Sequence, residues 1–278
     1  MNVPNSSNAP APSSRRPLRA ALLIIGSLVL VALTVGAVIT IGDAVGGTRK
    51  DSSTRLSIEQ RFDAVKIDAQ AADVSVRYAN VSAAQLNFHQ GSEIRSATLH
   101  HSVTGGVLAV TETVNGTLLF GRILADATTL ELVLPTSQKA TPPAIDTTVH
   151  AGNLDINGTF AAIAIHSMAG NVTLHGGALS LNVDSQSGNV EATDYILHGP
   201  LTGTTAAGDA TYNFSTLPDR ATLTSSAGNI RFTVPKGSYQ ISAQAQAGTV
   251  RQGVKSTPGA SRVYILQTSA GDITVANR

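Results

Sequence analysis

A short turn motif returns at nearly constant spacing through the second half of this chain. Its glycines lie 18, 18, 20, 20, 20 and 23 residues apart, and most are followed by Asn or Asp. A repeated unit of this length cannot bury an apolar face alone, so neighbouring units have to stack. The turn positions are Gly152 and Asn153, Gly170 and Asn171, Gly188 and Asn189, Gly208 and Asp209, Gly228 and Asn229, Gly248, and Gly271 and Asp272.

The residue types of this motif predict a sharp bend between two strands. Glycine adopts left-handed backbone angles without a Cβ penalty, and Asn or Asp tolerates them better than other residues. Around the bends apolar and polar residues alternate, as at Leu179, Leu181 and Val183, which is typical of a strand with one buried face. The segment AADV at 71–74 is a degenerate earlier copy with Ala72 in the glycine position. The chain after residue 42 is therefore predicted to be almost entirely β.

Two all-β architectures accommodate such a repeat. In a meander each turn joins antiparallel neighbours, and turns are expected every 8–12 residues. In a β-solenoid one motif per coil stacks at the same corner, with coils about 4.8 Å apart. A single motif in each period of roughly 20 residues favours the solenoid. Residues 80–148 show the repeat poorly and are predicted to be either irregular or a differently packed sheet.

The N-terminal part of the chain has the composition of a membrane anchor. The run from Ala20 to Gly42 contains no charge and is long enough, as a helix, to cross the hydrocarbon core of a bilayer. Arg15, Arg16 and Arg19 precede it, which predicts a cytoplasmic N-terminus and an extracytoplasmic C-terminal domain. A cleaved signal peptide is the alternative. The predicted organisation is a disordered tail (1–19), a single transmembrane helix (20–42), a linker (43–57) and a β-strand-repeat domain (58–278).

Several motifs, in this order, carry a family resemblance. They are the opening FDAVKIDAQAADVSVRY (Phe62–Tyr78), LELVLP (Leu130–Pro135), FTVPKG (Phe232–Gly237) and the series of AGN and AGD turns. The pattern resembles bacterial envelope proteins known as putative adhesins or β-strand-repeat domains of unknown function, which are related to the toastrack domains of envelope-stress systems. The resemblance covers about 58–278 and the preceding apolar span. It implies a right-handed β-solenoid-like domain at the cell envelope, without established catalytic residues.

The sequence predicts no catalytic, metal or cofactor site. The sequence lacks Cys, a His-Glu-x-x-His motif and a Gly-x-Ser-x-Gly motif. Calcium-binding β-rolls repeat every nine residues, so turn geometry explains these glycines without a metal. Surface roles are favoured for the histidines, among which His150 and His166 could approach each other. Surface roles are also favoured for four scattered acids. For two tyrosines, packing in the core is favoured over a platform that binds sugar. These acids and tyrosines are Asp155, Asp184, Glu191, Asp194, Tyr195 and Tyr212.

Three functions are compatible with these features. The first is a non-catalytic module that binds or scaffolds an envelope protein or cell-wall polymer. The second is an envelope-stress sensing or regulatory component acting through a membrane protein partner, and the third, least favoured, is a polysaccharide-active enzyme. Nucleic acid is excluded as a partner because residues 43–278 hold 16 basic and 18 acidic residues, which leaves no basic stripe. The terminal strand, Asp272–Ala276, is predicted to leave an open edge for self-association.

Overall fold

The computed structural model describes residues 37–39, 52–90, 96–115 and 128–278. Within these ranges the regular elements are strands, apart from one 3-10 turn at Thr136–Ala140. The strands are β1 (Ala37–Ile39), β2 (Ser52–Ile58), β3 (Ala64–Ala69), β4 (Asp73–Ala79), β5 (Ala84–Gln90), β6 (Ser96–Thr104), β7 (Val107–Asn115), β8 (Thr129–Pro135), β9 (Ala144–Val149), β10 (Leu154–Ser167), β11 (Val172–Ser187), β12 (Val190–Leu197), β13 (Pro200–Ala207), β14 (Ala210–Phe214), β15 (Arg220–Ala227), β16 (Ile230–Val234), β17 (Gln240–Ala247), β18 (Val250–Gln252), β19 (Val263–Ala270) and β20 (Ile273–Asn277).

The repeats form a parallel solenoid. Leu154 pairs with Val172 and Val172 with Val190, all in parallel register, so each coil lies on the next with an offset of one repeat. The strands before the turns form one sheet, the pre-turn sheet, and the strands after the turns form a second, the post-turn sheet. Because antiparallel neighbours are required in a meander, the parallel register excludes that alternative for the repeats described. Along the axis the strand pairs run β7/β8, β3/β4, β9/β10, β10/β11, β11/β12, β13/β14, β15/β16, β19/β20 and β17/β18.

The order of the last two coils corrects one prediction. β19 pairs with both β15 and β17, and β20 pairs with both β16 and β18. The strand predicted to be open, Asp272–Ala276, is therefore interior, and that prediction is wrong in its position. β17 and β18 precede β19 and β20 in the sequence but lie outside them in space. The coil formed by β19 and β20 is therefore inserted between the β15/β16 coil and the β17/β18 coil. The edge of the described solenoid is formed by β17 and β18.

Antiparallel strands extend the other end of the solenoid. β6 pairs antiparallel with β7, and β5 pairs antiparallel with β8 and β2. The described part of residues 80–148 thus includes a differently packed sheet. The linker predicted over 43–57 overlaps β2, which begins at Ser52. Leu56 and Ile58 alternate inward along this strand, and Ile58 is only 3% exposed, so apolar burial holds the segment in the sheet.

The predicted tail 1–19 and most of the predicted transmembrane helix 20–42 lie outside the described residues. The described part of that helix, Ala37–Ile39, is the short strand β1, which pairs antiparallel with β6. Among the residues that the structure describes, no helix is long and apolar enough to cross a membrane.

Inward-facing columns of side chains form a continuous core between the two sheets. Ile145, Ile163, Leu181 and Leu201 occupy equivalent positions on successive pre-turn strands, and each is at most 2% exposed. Burying a side chain of this size stabilises the fold by about 1.5–3 kcal/mol. Leu179, in contrast, is 61% exposed. The alternation at Leu179, Leu181 and Val183 therefore predicts burial correctly for Leu181 and Val183 but not for Leu179.

Aromatic rings fill the core of the later coils. Tyr212 stacks on Phe214 with ring centroids 6.0 Å apart, and Phe214 meets Phe232 edge-on at 5.6 Å. Phe232 meets Tyr264 at 5.2 Å. Gly203 faces this stack, and a Cβ there would meet the Leu223 side chain and the Tyr212 hydroxyl. A glycine in the middle of a strand therefore makes room for a large ring on the opposite sheet.

Candidate binding surfaces

The turn glycines form a column at one corner of the solenoid. Gly188 has a φ of 118° and donates its backbone N–H to the Ala207 carbonyl at 3.0 Å. A Cβ on Gly188 would overlap the carbonyl oxygen of Gly170, and the same overlap recurs at each neighbouring coil. The close approach of successive backbones, as much as the left-handed angle, therefore requires glycine. Ala72 occupies the end of this column, where its carbonyl contacts Gly152.

The residues after these glycines form a ladder of side-chain hydrogen bonds along the same corner. Asn171 accepts through Oδ1 from the backbone N–H of Asn189 at 2.9 Å, and each coil repeats this bond. The ladder satisfies a backbone donor that the bend would leave unpaired. It ends at Thr249, which donates its N–H to Asp272 Oδ1 at 2.8 Å. In spatial order its members are Asp73, Asn153, Asn171, Asn189, Asp209, Asn229, Asp272 and Thr249.

Removing one member of this ladder is expected to destabilise the domain moderately. Asn171→Ala deletes the acceptor for the Asn189 N–H, and we expect a loss of about 0.5–1.5 kcal/mol in unfolding free energy. Thr249→Ala is the matched control, because Thr249 ends the ladder and contributes only its backbone. Urea unfolding followed by circular dichroism measures both. Equal stability of Asn171→Ala and the unmodified chain would show that the ladder contributes nothing.

Part of the outer side of the pre-turn sheet, on β13 and β15, carries four threonines, which we call the threonine face; Asp184 on β11 lies at its border beside Thr204. It consists of Thr202, Thr204, Thr222 and Thr224, whose alternate neighbours are buried. Thr202 pairs with Thr222 and Thr204 with Thr224 across the two strands. Adjacent strands lie about 4.8 Å apart and alternate residues about 6.7 Å apart, so the four hydroxyls form a regular grid without charge.

The outer side of the post-turn sheet also carries charged side chains. Asp155 and Glu191 lie on strands separated by β11, and Arg231 follows toward the C-terminal end. Arg278 forms an ion pair on this side, in which its Nη2 lies 2.7 Å from Oδ1 of Asp194. The four weighed acids are thus not brought into a catalytic pair, since Asp184 lies on the pre-turn sheet and Asp194 is paired with arginine.

A polar network joins the antiparallel strands to the first coils. Asn87 accepts from Arg55 Nε at 2.9 Å and donates to Glu131 Oε2 at 2.7 Å, while Arg77 Nε donates to Glu131 Oε1 at 2.6 Å. Burial by itself would raise the pKa of Glu131, but the hydrogen bonds from Asn87 and Arg77 and the charges of Arg77 and Arg55 outweigh it and lower the pKa. An open depression of about 420 Å³ lies beside Arg55, Asn87 and Glu131. Because its charges are paired with one another, the network acts as a connection between strands.

The histidines do not form a joint site. His150 Nε2 is 3.4 Å from Asp68 Oδ1, and His166 Nδ1 is 3.6 Å from Asp184 Oδ2. Each ring therefore faces a different carboxylate at an exposed position. Burial lowers the pKa of His101, whose Nδ1 has no hydrogen-bond partner among the described residues. In the part of the chain that the structure describes, no three His, Asp or Glu side chains are placed to hold a metal ion.

The two weighed tyrosines lie in the core. Tyr195 and Tyr212 are both 0% exposed, and burial raises the pKa of each phenol, so both stay protonated. Core packing is therefore correct for them, and neither can stack on a sugar.

A buried acid that sequence reasoning missed is Glu112, which accepts from the N–H groups of Gln70 and Ala71 at 2.7 and 2.9 Å. It supports the degenerate AADV turn.

Comparisons with known proteins identify one matching family model. The model described as "Toastrack DUF4097" matches residues 48–276. A comparison with curated proteins gives no match.

Solved structures resemble the chain at low identity. A protein described as a putative adhesin from Bacteroides fragilis is 14% identical, covers 83% of this chain and 98% of its own, and has a TM-score of 0.48. A protein described as a putative lipid binding protein from Parabacteroides distasonis is 14% identical, covers 82% of this chain and 98% of its own, and has a TM-score of 0.46. At these scores neither carries an argument about this chain's ligand.

Proposed function

Since the chain belongs to the Toastrack DUF4097 family, we propose that it is a non-catalytic envelope protein whose threonine face binds a polysaccharide of the cell envelope. In this proposal the apolar run at 20–42 anchors the chain in the cell membrane as a single span, with the N-terminus in the cytoplasm. The solenoid is then displayed on the outer side, where envelope polymers are present.

The observation that carries this proposal is the grid of four hydroxyls on the threonine face, which is bordered by a single carboxylate, Asp184, beside Thr204. Thr202 and Thr222 lie side by side, as do Thr204 and Thr224. A hydroxyl both donates and accepts hydrogen bonds, which suits a polymer that is itself rich in hydroxyls. Threonine is stiff at χ1, so little side-chain entropy is lost when a ligand orders the surface. Strands on both sides hold the grid rigid.

Positive charge placed at two of the four grid positions tests the proposal. In the full chain, Thr202→Lys together with Thr222→Lys introduces two long hydrated side chains at positions that face solvent. We expect retention on isolated cell wall, measured by co-sedimentation, to fall about tenfold, which corresponds to about 1.4 kcal/mol. The matched control is Thr173→Lys with Thr211→Lys, which makes the same change on the post-turn sheet beside Glu191; its retention should stay within about twofold.

Proximity labelling in intact cells separates this proposal from a regulatory role. Labelling of bulk envelope material that weakens in the threonine-face variant supports polymer binding. Reproducible labelling of one membrane protein, to the same extent by the unmodified chain and by the threonine-face variant, would contradict the proposal and favour the envelope-stress function.

A further inference from the structure

The described solenoid ends in strands that have one free side. β17 pairs with β19 and β18 with β20, and no other described strand lies against either of them. The loop after β18 covers only the beginning of the edge, where Ile241 N–H donates to Ser256 Oγ at 2.9 Å and Thr257 N–H to the Tyr239 carbonyl at 2.8 Å. Backbone groups alternate in direction along a strand, so Ala243 and Ala245 present theirs to the same open side as Ile241. We call Ser242–Gln252 the open end.

The apolar core is incompletely covered at the open end. Val250 is 39% exposed, whereas Ile230 and Ile273, its equivalents on the next two coils, are at most 1% exposed. Ala243 and Ala245 are partly exposed and take the column positions of Leu266 and Thr268. A segment that followed β17 and continued past the corner along β18 would cover these side chains, as each inner coil covers the next.

The charge around the open end has one sign. Residues 237–262 contain Arg251, Lys255 and Arg262 and no acidic residue, and residues 219–278 contain seven basic residues against two acidic ones. Arg251 and Lys255 are exposed. The carboxylate nearest along the corner, Asp272, already accepts from Thr249 N–H at 2.8 Å. A second copy paired edge to edge would bring the same basic residues together, which disfavours self-association here.

We infer that the open end accepts an extended acidic segment of a partner protein, which pairs with β17, bends at the corner and continues along β18. Backbone hydrogen bonds to the free side of β17 and, past the corner, to the free side of β18 would fix its register. Its inward residues would be apolar, because they would cover Ala245 where the segment follows β17 and Val250 where it follows β18. Its outward residues would be acidic, because along β18 they would lie beside Arg251, close in sequence to Lys255. This surface lies at the end of the solenoid, apart from the threonine face, so the inference goes beyond the proposed polysaccharide binding.

The test uses the full chain and a fluorescein-labelled nine-residue peptide in which Glu and Val alternate on both sides of a central Gly-Asn pair. Fluorescence anisotropy should show saturable binding. Arg251→Glu with Lys255→Glu should weaken it at least about tenfold. Arg61→Glu with Lys66→Glu makes the same change in net charge at exposed positions near the other end and should leave the affinity within about twofold. Circular dichroism confirms that both variants keep their β signal.

Two further probes separate strand addition from simple charge attraction. Two versions of the peptide carry N-methyl groups on every Glu or on every Val, and each has lost the backbone donors of one edge only. The version methylated on the edge that faces β17 and β18 should not bind, whereas the other version should bind like the unmethylated peptide. Binding of both methylated versions as tight as that of the unmethylated peptide, or displacement by polyphosphate as effective as displacement by the unlabelled peptide, would overturn the inference in favour of an anionic polymer. Absence of peptide binding together with a dimer in light scattering would overturn it in favour of a second copy. Because the Thr202→Lys and Thr222→Lys variant should bind the peptide normally, failure of this inference and failure of polysaccharide binding remain distinguishable.

Discussion

Gly188→Ala is expected to lower the free energy of unfolding by about 3–5 kcal/mol. Two costs combine at this position. The backbone has a φ of 118°, which a residue with a Cβ rarely adopts, and the added methyl group would overlap the carbonyl oxygen of Gly170. That oxygen belongs to the backbone of the coil below, so it cannot move aside without separating the two coils. Urea unfolding followed by circular dichroism measures the loss.

Gly259→Ala is the control for this prediction. Gly259 also has a positive φ, 79°, but a Cβ there would meet nothing within 4 Å. Its substitution therefore measures backbone strain alone, which we expect to cost about 1 kcal/mol. Similar losses at Gly188 and Gly259 would contradict the conclusion that close stacking of the corner requires glycine.

Phe232→Ala is expected to cost about 3–5 kcal/mol through the cavity that it creates. The ring is fully buried between Phe214 and Tyr264, which contact it edge-on at 5.6 and 5.2 Å. These neighbours belong to adjacent coils held by backbone hydrogen bonds, so they cannot collapse into the space. The midpoint of urea unfolding should fall with little change in its slope.

Thr233→Ala provides the matched control for the core substitution. Thr233 follows Phe232 on the same strand but points outward, and its loss should change stability by no more than about 0.5 kcal/mol. A drop in Phe232→Ala that is no larger than the drop in Thr233→Ala would show that the aromatic stack is not a major source of stability.

Local features of the sequence are sufficient to predict much of this fold. The period locates the coils, and the glycines locate one corner, because left-handed angles and close stacking both require them there. Alternation identifies the buried residues of most strands, such as Val172 and Leu174, which are both fully buried. These are properties of single repeats and their immediate neighbours, and a sequence displays them directly.

The spatial order of the coils depends on interactions that the sequence does not display. Nothing local distinguishes β19 lying beyond β17 from β19 inserted beneath it, since both arrangements use the same turns and the same alternation. Two signals are visible in retrospect. The last spacing is 23 residues rather than 20, which lengthens the connection, and Thr249 replaces the Asn or Asp of the ladder. Thr249 lies in the coil at the edge, where no further coil needs a side-chain acceptor.

The antiparallel end and the candidate surfaces were harder to predict for the same reason. β2 is recognised as part of the sheet only from its partner β5, since its sequence has the polar composition of a spacer. Glu112 alternates normally along β7 and is buried only because its carboxylate reaches the N–H groups of Gln70 and Ala71. The threonine face requires two strands to be adjacent before its four residues form a surface.

The interior position of β19 and β20 determines when the domain can be completed during translation. Until these strands have left the ribosome, β15 and β16 have no permanent neighbour on their C-terminal side, and β17 and β18, although already synthesised, have nothing to rest on. Most solenoids can grow coil by coil as the chain emerges. Here β17 and β18 can take their places only after β19 and β20 have been synthesised, so a chain that stops before Val263 lacks an inner layer and leaves the outer one without support.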